Sequence, residues 1–540
     1  MGAVTGRGVV MSAVALAACA WGASALTACA SYSEDCWDIV ACSPAPEPPR
    51  DPCEGEPGTA PALDECGVFV SEQGDDRDPG TRDAPVRTLR HAIRLAAGGR
   101  GDGEAPTRRV YACGGAFEEA IALPSGVDLW GGRLCDGGDG SSYGGAFGGP
   151  DRLTTIAPPA GIPLRVIQGE GTSTIFGVRV VAADASAADG KSSIAMILSP
   201  GATAKVVASE VAPGHGKDGE PGEDAPSDRA NDGVVGNDGA DACTADVVRG
   251  ALPVVTRCDE GIESTGGHGG HGGIDSGGDG AAGQPEPALN PEGKGIGGTG
   301  AGSAMCTAGE GGAEGADGGR AAGAAGAGSL GIDGWTGVRG EDGKRGGVGQ
   351  GGGGGGGSKS PEPMTACPTG RPQGGAAGGS GGSGGCGGRG GKGGGHGGAS
   401  IGIVALQGSV LTVEASEVIA GNGGHGGVGG TGQPGGWGGY IGRGGKPRFA
   451  GNAWRGCDGG SGGDGGRGGD AGGGLGGSSF GIASVGATVT IALDAFVTPG
   501  KAGGGGLAGN AALGDEEGRG EPGLASFWYR FDSPDPEPPQ

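Results

Sequence analysis

Aromatic side chains are scarce in this chain, at 4% of 540 residues. So little large apolar surface excludes one hydrophobic core running through the whole length. Positive charge is also short, with 37 Lys and Arg against 62 Asp and Glu, a net charge of −25. Such a chain repels phosphate backbones, which excludes nucleic acid as a partner and favours cations or basic surfaces. Two common catalytic signatures are missing too: there is no HExxH and no complete P-loop GxxxxGK[ST]. What abounds is Gly, 142 residues, which with 35 Pro makes one residue in three. That share exceeds the roughly 25–30% that marks low-complexity sequence. A smaller core interrupted by glycine-dense segments is the architecture this composition allows.

The N-terminus reads as an export signal over residues 1–28. Arg7 is the only charge in the first 33 residues, and the apolar, small-residue run Gly8–Ala28 follows it. Two tetrads resemble the bacterial lipobox that precedes a lipidated cysteine: Leu16-Ala17-Ala18-Cys19 and Leu26-Thr27-Ala28-Cys29. Plain cleavage after Ala23-Ser24-Ala25 is the third option. Of the 14 cysteines, lipidation at Cys29 leaves 12 to pair, whereas Cys19 or cleavage after Ala25 leaves 13. An even number suits thiols that oxidise in pairs outside the cytoplasm. Cys29 is therefore the expected lipid site, with Cys19 as runner-up. Ala30 is not the aspartate of an inner-membrane retention signal, so outer-membrane or surface delivery through a lipid anchor is implied. Residues 29–66, Pro- and acid-rich, read as a tether.

Residues 67–213 carry the periodicity of folded structure. Leu89, Ala92, Ile93 and Ala96 fall on one helical face, and Gly98 ends it. Short strands punctuated by Gly follow. Pro79, Gly80, Thr81, Pro85, Thr88 and Ala92, then Val110, Tyr111, Gly114, Phe117, Glu119, Pro124-Ser125-Gly126-Val127, Leu129, Gly131 and Gly132 form a pattern. It resembles the opening of secreted proteins of the pectin-lyase-like right-handed parallel β-helix family. The resemblance implies an all-β fold, a short right-handed parallel β-helix with an N-terminal capping helix. It also implies a Cys113–Cys135 disulfide, because 22 residues is close to one rung in that family. Stacked rungs bring equivalent Cα atoms to about 4.8 Å, inside the disulfide window of roughly 4.4–6.8 Å.

Internal repeats point the same way. "SIAMILSPGATAKVVASEVAPG" from Ser193, "SIGIVALQGSVLTVEASEVIAG" from Ser400 and "SFGIASVGATVTIALDAFVTPG" from Ser479 align as strand, Gly turn, strand. The alternation predicts inward columns Ile194/Ile401/Phe480, Met196/Ile403/Ile482, Ala204/Leu411/Val489, Val206/Val413/Ile491 and Ala208/Ala415/Leu493. Rungs are thus expected at 400–420 and 478–499, split by glycine-rich insertions at 214–399 and 421–477. Residues 500–540 form a last glycine-rich loop and a C-terminal cap, "LASFWYRF". All insertions leave after the same strand, so they should emerge side by side. The coil is expected to survive removal of 214–399.

The glycine tracts admit two forms. GGx triplets such as "GGSGGSGGCGGRGGK" from Gly378 suit a polyglycine II bundle, with the variable residues Arg389, Lys392, Asp464 and Arg467 facing water. This resembles the glycine-rich halves of PGRS-type surface proteins. The alternative is a disordered loop, favoured by the entropy of glycine and expected above all for Gly351–Gly357.

Chemistry is thin. Gly214-His215-Gly216 copies one motif of polygalacturonases, but their Asn-Thr-Asp is missing and Asp75-Asp76 precedes the helix. His268 and His271 form HxxH without further metal ligands in reach. The acid-rich stretch after Lys217 lacks EF-hand spacing and suits loose Ca2+ binding at most, so no cofactor, metal or catalytic residue is assigned. The reading is a lipid-anchored or secreted, non-enzymatic cell-surface protein that meets the membrane through its lipid, and outside it a polysaccharide or cell-surface matrix. The rival is a carbohydrate-binding or carbohydrate-cleaving β-helix.

Overall fold

The computed structural model describes residues 51–532, apart from 102, 104, 136–146, 187–190, 363–364 and 448–453. Residues 1–54 and 55–540 form two compact units. In the first, residues 51–54 make a turn in which Glu54 N–H donates to Asp51 O at 3.0 Å.

Three parallel sheets organise the second unit. Sheet 1 stacks Val68–Val70, Arg109–Cys113, Asp128–Arg133, Ser173–Phe176, Thr203–Val207, Val410–Glu414 and Thr488–Ile491. Sheet 2 stacks Ala116–Phe117, Thr154–Ile156, Val178–Val181, Glu210–Ala212, Glu417–Ile419 and Phe496–Thr498. Sheet 3 stacks Ile121–Pro124, Leu164–Ile167, Ser193–Leu198, Ser400–Ala405, Ser479–Val485 and Ala525–Phe531. From Arg109 onward the chain visits sheets 1, 2 and 3 in fixed rotation, so each turn of chain lies on the last. The fold is all-β with parallel sheets, and the rotation is compatible with a parallel β-helix. One buried cluster joins the three sheets, with Leu129, Val206 and Leu411 from sheet 1, Ile156 and Val211 from sheet 2, and Leu164, Met196 and Ile403 from sheet 3.

Local chemistry explains the elements. Thr88 caps the helix Leu89–Gly98 by accepting from His91 N–H, and the buried carboxylate of Glu119 takes the N–H groups of Leu89 and Arg90. These satisfy donors that the first helical turn cannot satisfy internally. Leu89, Ala92, Ile93 and Ala96, the four residues of the apolar stripe, all join the main core. At Gly126 the backbone turns at φ +88°, and a Cβ would lie 1.9 Å from Glu170 O, so the Pro-Ser-Gly turn tolerates only glycine there.

The three repeats pair in the register of their alignment. Ser193, Ile194 and Met196 lie beside Ser400, Ile401 and Ile403, which lie beside Ser479, Phe480 and Ile482. Ala204 and Val206 meet Leu411 and Val413, which meet Val489 and Ile491. Two columns differ from expectation. Ile194, Ile401 and Phe480 face away from the main core, into a second cluster on the outer side of sheet 3. The pairing skips Ala195, Gly402 and Gly481, so Ile194 and Met196 fall on opposite faces although two apart. Ala208 and Ala415 take φ of +45° and +44° at the corner after sheet 1, and Leu493 is fully exposed there. That column is a turn, not core.

The insertions leave after sheet 2 at Ala212, Ile419 and Thr498, and re-enter sheet 3 at Ser400, Ser479 and Ala525. They fold back over sheet 3, whose strands Ser193–Leu198, Ser400–Ala405 and Ser479–Val485 are buried on both faces. A hairpin of Ser329–Gly331 and Gly334–Thr336 lays Trp335 on that outer face, beside Ala324 and Leu475. The stretch "LASFWYRF" is not a lid over the coil. Ala525–Phe531 continues sheet 3 as its last strand.

Cys113 and Cys135 are bonded, with Cα atoms 5.6 Å apart. The rung register sets Cys113 beside Arg133, so the bond reaches just past the strand rather than joining equivalent positions. Cys243–Cys367, Cys258–Cys386 and Cys306–Cys457 staple the insertions, and Cys53 and Cys66 are also disulfide-bonded. Such oxidation fits an exported chain. Among the described residues no helix is long and apolar enough to cross a membrane.

Candidate functional surface

The glycine insertions form an ordered bundle of extended segments, and Gly351–Gly357 lies at its centre. The N–H groups of Gly351, Gly354 and Gly357 donate to Gln284, Ala281 and Gly278. Those of Gly352 and Gly355 go to Gly382 and Gly379, and those of Gly353 and Gly356 to Glu310 and Thr307. Every third N–H thus meets the same neighbour, as expected when a backbone turns once per three residues. The carbonyls of Gly352–Gly357 accept from three further segments, at Gly267/Gly270, Gly460/Cys457 and Gly298/Ala301. Six neighbours surround the run, at N···O distances of 2.7–3.0 Å. The run for which disorder was expected is fully buried. Glycine is required because backbones touch: a Cβ on Gly354 would lie 1.8 Å from His268 O. The same spacing extends outward. Residues 340–358 pair antiparallel with 376–394 through seven N–H donors, from Gly340 to Ser358.

At the rim a second device completes the hydrogen bonding. Gly216, Gly219, Gly222, Gly233, Gly236 and Gly239 donate to Asn422, His425, Val428, Trp437, Tyr440 and Arg443. Between them, the carboxylates of Asp218, Asp224, Asp232, Asp238 and Asp241 accept the N–H groups of His425, Thr431, Trp437, Arg443 and Lys446. The acid-rich stretch is therefore an ordered, exposed rim segment. Its aspartates replace the backbone acceptor that an outermost segment lacks. Asp224 is held below the usual carboxylate range by the Thr431 hydroxyl, then by the Thr431 N–H. The Lys392 ammonium, then the Gly393 N–H, does the same for Asp342. At Asp470, burial works upward, but Arg467 and the Gly432 N–H outweigh it.

The triplet residues Arg389, Lys392, Asp464 and Arg467 sit at the surface, but in bonded partnerships. Arg389 binds Asp259 at 2.6 Å, Lys392 binds Asp342 at 2.9 Å and Arg467 binds Asp470 at 2.7 Å. Asp464 accepts from Gly438 N–H. Arg229, Arg345, Arg389, Asp259 and Gln433 line a cavity of about 170 Å³, backed by the Cys258–Cys386 disulfide. Beside it Arg229 stacks at 3.8 Å over Trp437, which is half exposed, and the exposed Tyr440 follows one triplet later.

The other motif residues have structural uses. His215 donates its N–H to Asp184 and accepts from Asn422 N–H through Nδ1. Asp76 accepts from Arg87 and Thr88 at the helix entry. His268 lies in the segment pairing with the central run. Among the described residues no group of three or more His, Cys, Asp or Glu could hold a metal ion. Cys19 and Cys29 lie outside the described residues. The aspartate series was missed in the sequence, although Asp-Gly and Asp-Ala steps in period three with the GGx tract opposite were readable.

No family model, curated protein or solved structure matches the chain.

Proposed function

We propose that this is an exported bacterial surface protein, lipid-anchored at Cys29, with a non-enzymatic structural or adhesive role. Its scaffold would be a right-handed, pectin-lyase-like parallel β-helix capped by Leu89–Gly98. Its displayed part would be a PGRS-type bundle of polyglycine II segments. The observation that carries the reading is how the polar side chains are spent. The bundle's aspartates hold backbone N–H groups or arginines, which builds a rigid, hydrated and disulfide-stapled surface. Labelling with a radioactive fatty acid and fractionating cells tests the anchor. Cys29→Ser should lose the label and release the protein to the medium, while Cys19→Ser should keep both. An unlabelled wild-type chain beginning at Leu26 would overturn the anchor.

A second reading, carbohydrate binding, has one observation of its own. Trp437 and Tyr440 stand exposed along one segment, beside Arg229 and Arg443. Stacking on sugar rings is a usual role for such exposed aromatics. Glycan arrays with wild type and Trp437→Ala/Tyr440→Ala decide it.

A further inference from the structure

The two ends of the three-sheet coil are finished differently. At the N-terminal end, Phe69 of the first strand of sheet 1 donates to Gly80 O and accepts from Val86 N–H, so a loop covers that edge. Glu72 takes the N–H of Ala116, and the helix seals the core. At the other end Thr488–Ile491, Phe496–Thr498 and Ala525–Phe531 are the last strands of their sheets. Among the described residues nothing pairs with their outer edges.

This end also lacks the usual protection. Edge strands are commonly guarded by charges, Pro or bulges that stop another chain from pairing. Those three strands hold no Pro and one charge, Arg530. Core residues Val489, Ile491, Val497 and Trp528 are only partly buried, and Phe496 and Phe527 are 68% and 57% exposed. In a chain of net charge −25, a face whose strands carry a single charge, and that one positive, is a surface on which two copies repel little.

We infer that this end is a self-association face on which a second copy of the chain sits end to end. A single peptide strand could pair with one edge and would leave the other two and the core column open. The occupant must bring three strand edges around an apolar core of the same cross-section, and the same end of a second copy does so. Because the opposite end is sealed, head-to-tail growth is blocked. The contact is therefore isologous, closing at a two-fold dimer rather than a filament.

Sedimentation equilibrium of the purified exported chain, from nanomolar to tens of micromolar, tests this. The expected result is a monomer–dimer equilibrium with nothing larger. The variant Thr490→Lys/Phe527→Lys places charges on two exposed edge positions without touching the core. It should weaken the dimer about tenfold or more while far-UV circular dichroism stays unchanged. Arg320→Gln, on the bundle, serves as a control and should leave the dimer intact. A wild-type monomer throughout, an open-ended polymer, or a dimer indifferent to the edge lysines would each overturn the inference. If the double variant misfolds, Thr490→Lys alone carries the test.

Discussion

Gly354 shows most sharply what a single residue does here. It has no room for a methyl group because His268 O occupies the space, at 1.8 Å from an ideal Cβ. Gly354→Ala should therefore force neighbouring segments apart and cost about 3 kcal/mol or more, at or above the top of the range for overpacking. Gly319, in the same bundle, has open space around its would-be Cβ, so Gly319→Ala should stay within about 0.5 kcal/mol. Chemical unfolding of both variants checks the contrast, and equal losses would sink the close-packing account. The aspartates give a pH test. Asp224, Asp342 and Asp470 have folded pKa values below the ordinary one, so the fold holds their ionised form. Their contribution is complete above about pH 4 and is lost as pH falls through the depressed folded values. Thermal unfolding between pH 7 and pH 2 should show the loss begin near pH 4, with a smaller drop in Asp224→Asn. A stability that rises on acidification would contradict the assigned role.

At the scale of elements, the strands were legible and the bundle was only half so. The repeat alignment from Ser193, Ser400 and Ser479 is the strand pairing itself, because period-two burial leaves a strong pattern in the sequence. The helix stripe was equally plain. The outward column Ile194/Ile401/Phe480 was misassigned because the irregularity at Gly402 and Gly481 shifts the alternation by one, which a regular period cannot foresee. The order of Gly351–Gly357 was illegible for another reason. A run of identical residues carries no side-chain pattern, and its stability comes from six partners far away in sequence. Those partners are held by three disulfides spanning 124, 128 and 151 residues. Long closures of this kind restrict the unfolded chain most, and losing one typically costs about 2–5 kcal/mol. Cys258→Ala/Cys386→Ala should lower stability by that amount and release Arg389 from Asp259. Thermal unfolding with and without reductant measures it, and an unchanged midpoint would mean the staples contribute nothing.

At the scale of the molecule, coil and bundle are one object. Sheet 3 is shared: Met196, Ile403 and Ile482 face the coil's core, and Ile197, Val404 and Phe480 face the bundle. Removing residues 214–399 was expected from the sequence to spare the coil. The structure reverses that expectation, because the deletion takes away the central run and Trp335 and uncovers the outer face of sheet 3. The shortened chain should bind a hydrophobic dye and aggregate, whereas wild type should not. Amide hydrogen exchange at Gly351–Gly357 tests the ordered bundle itself most directly. The run is buried and all seven N–H groups are bonded to backbone carbonyls, so exchange should be slowed about a thousandfold or more relative to an unstructured peptide. Exchange at the unstructured rate would mean that the glycine insertions are loose loops and that no bundle exists.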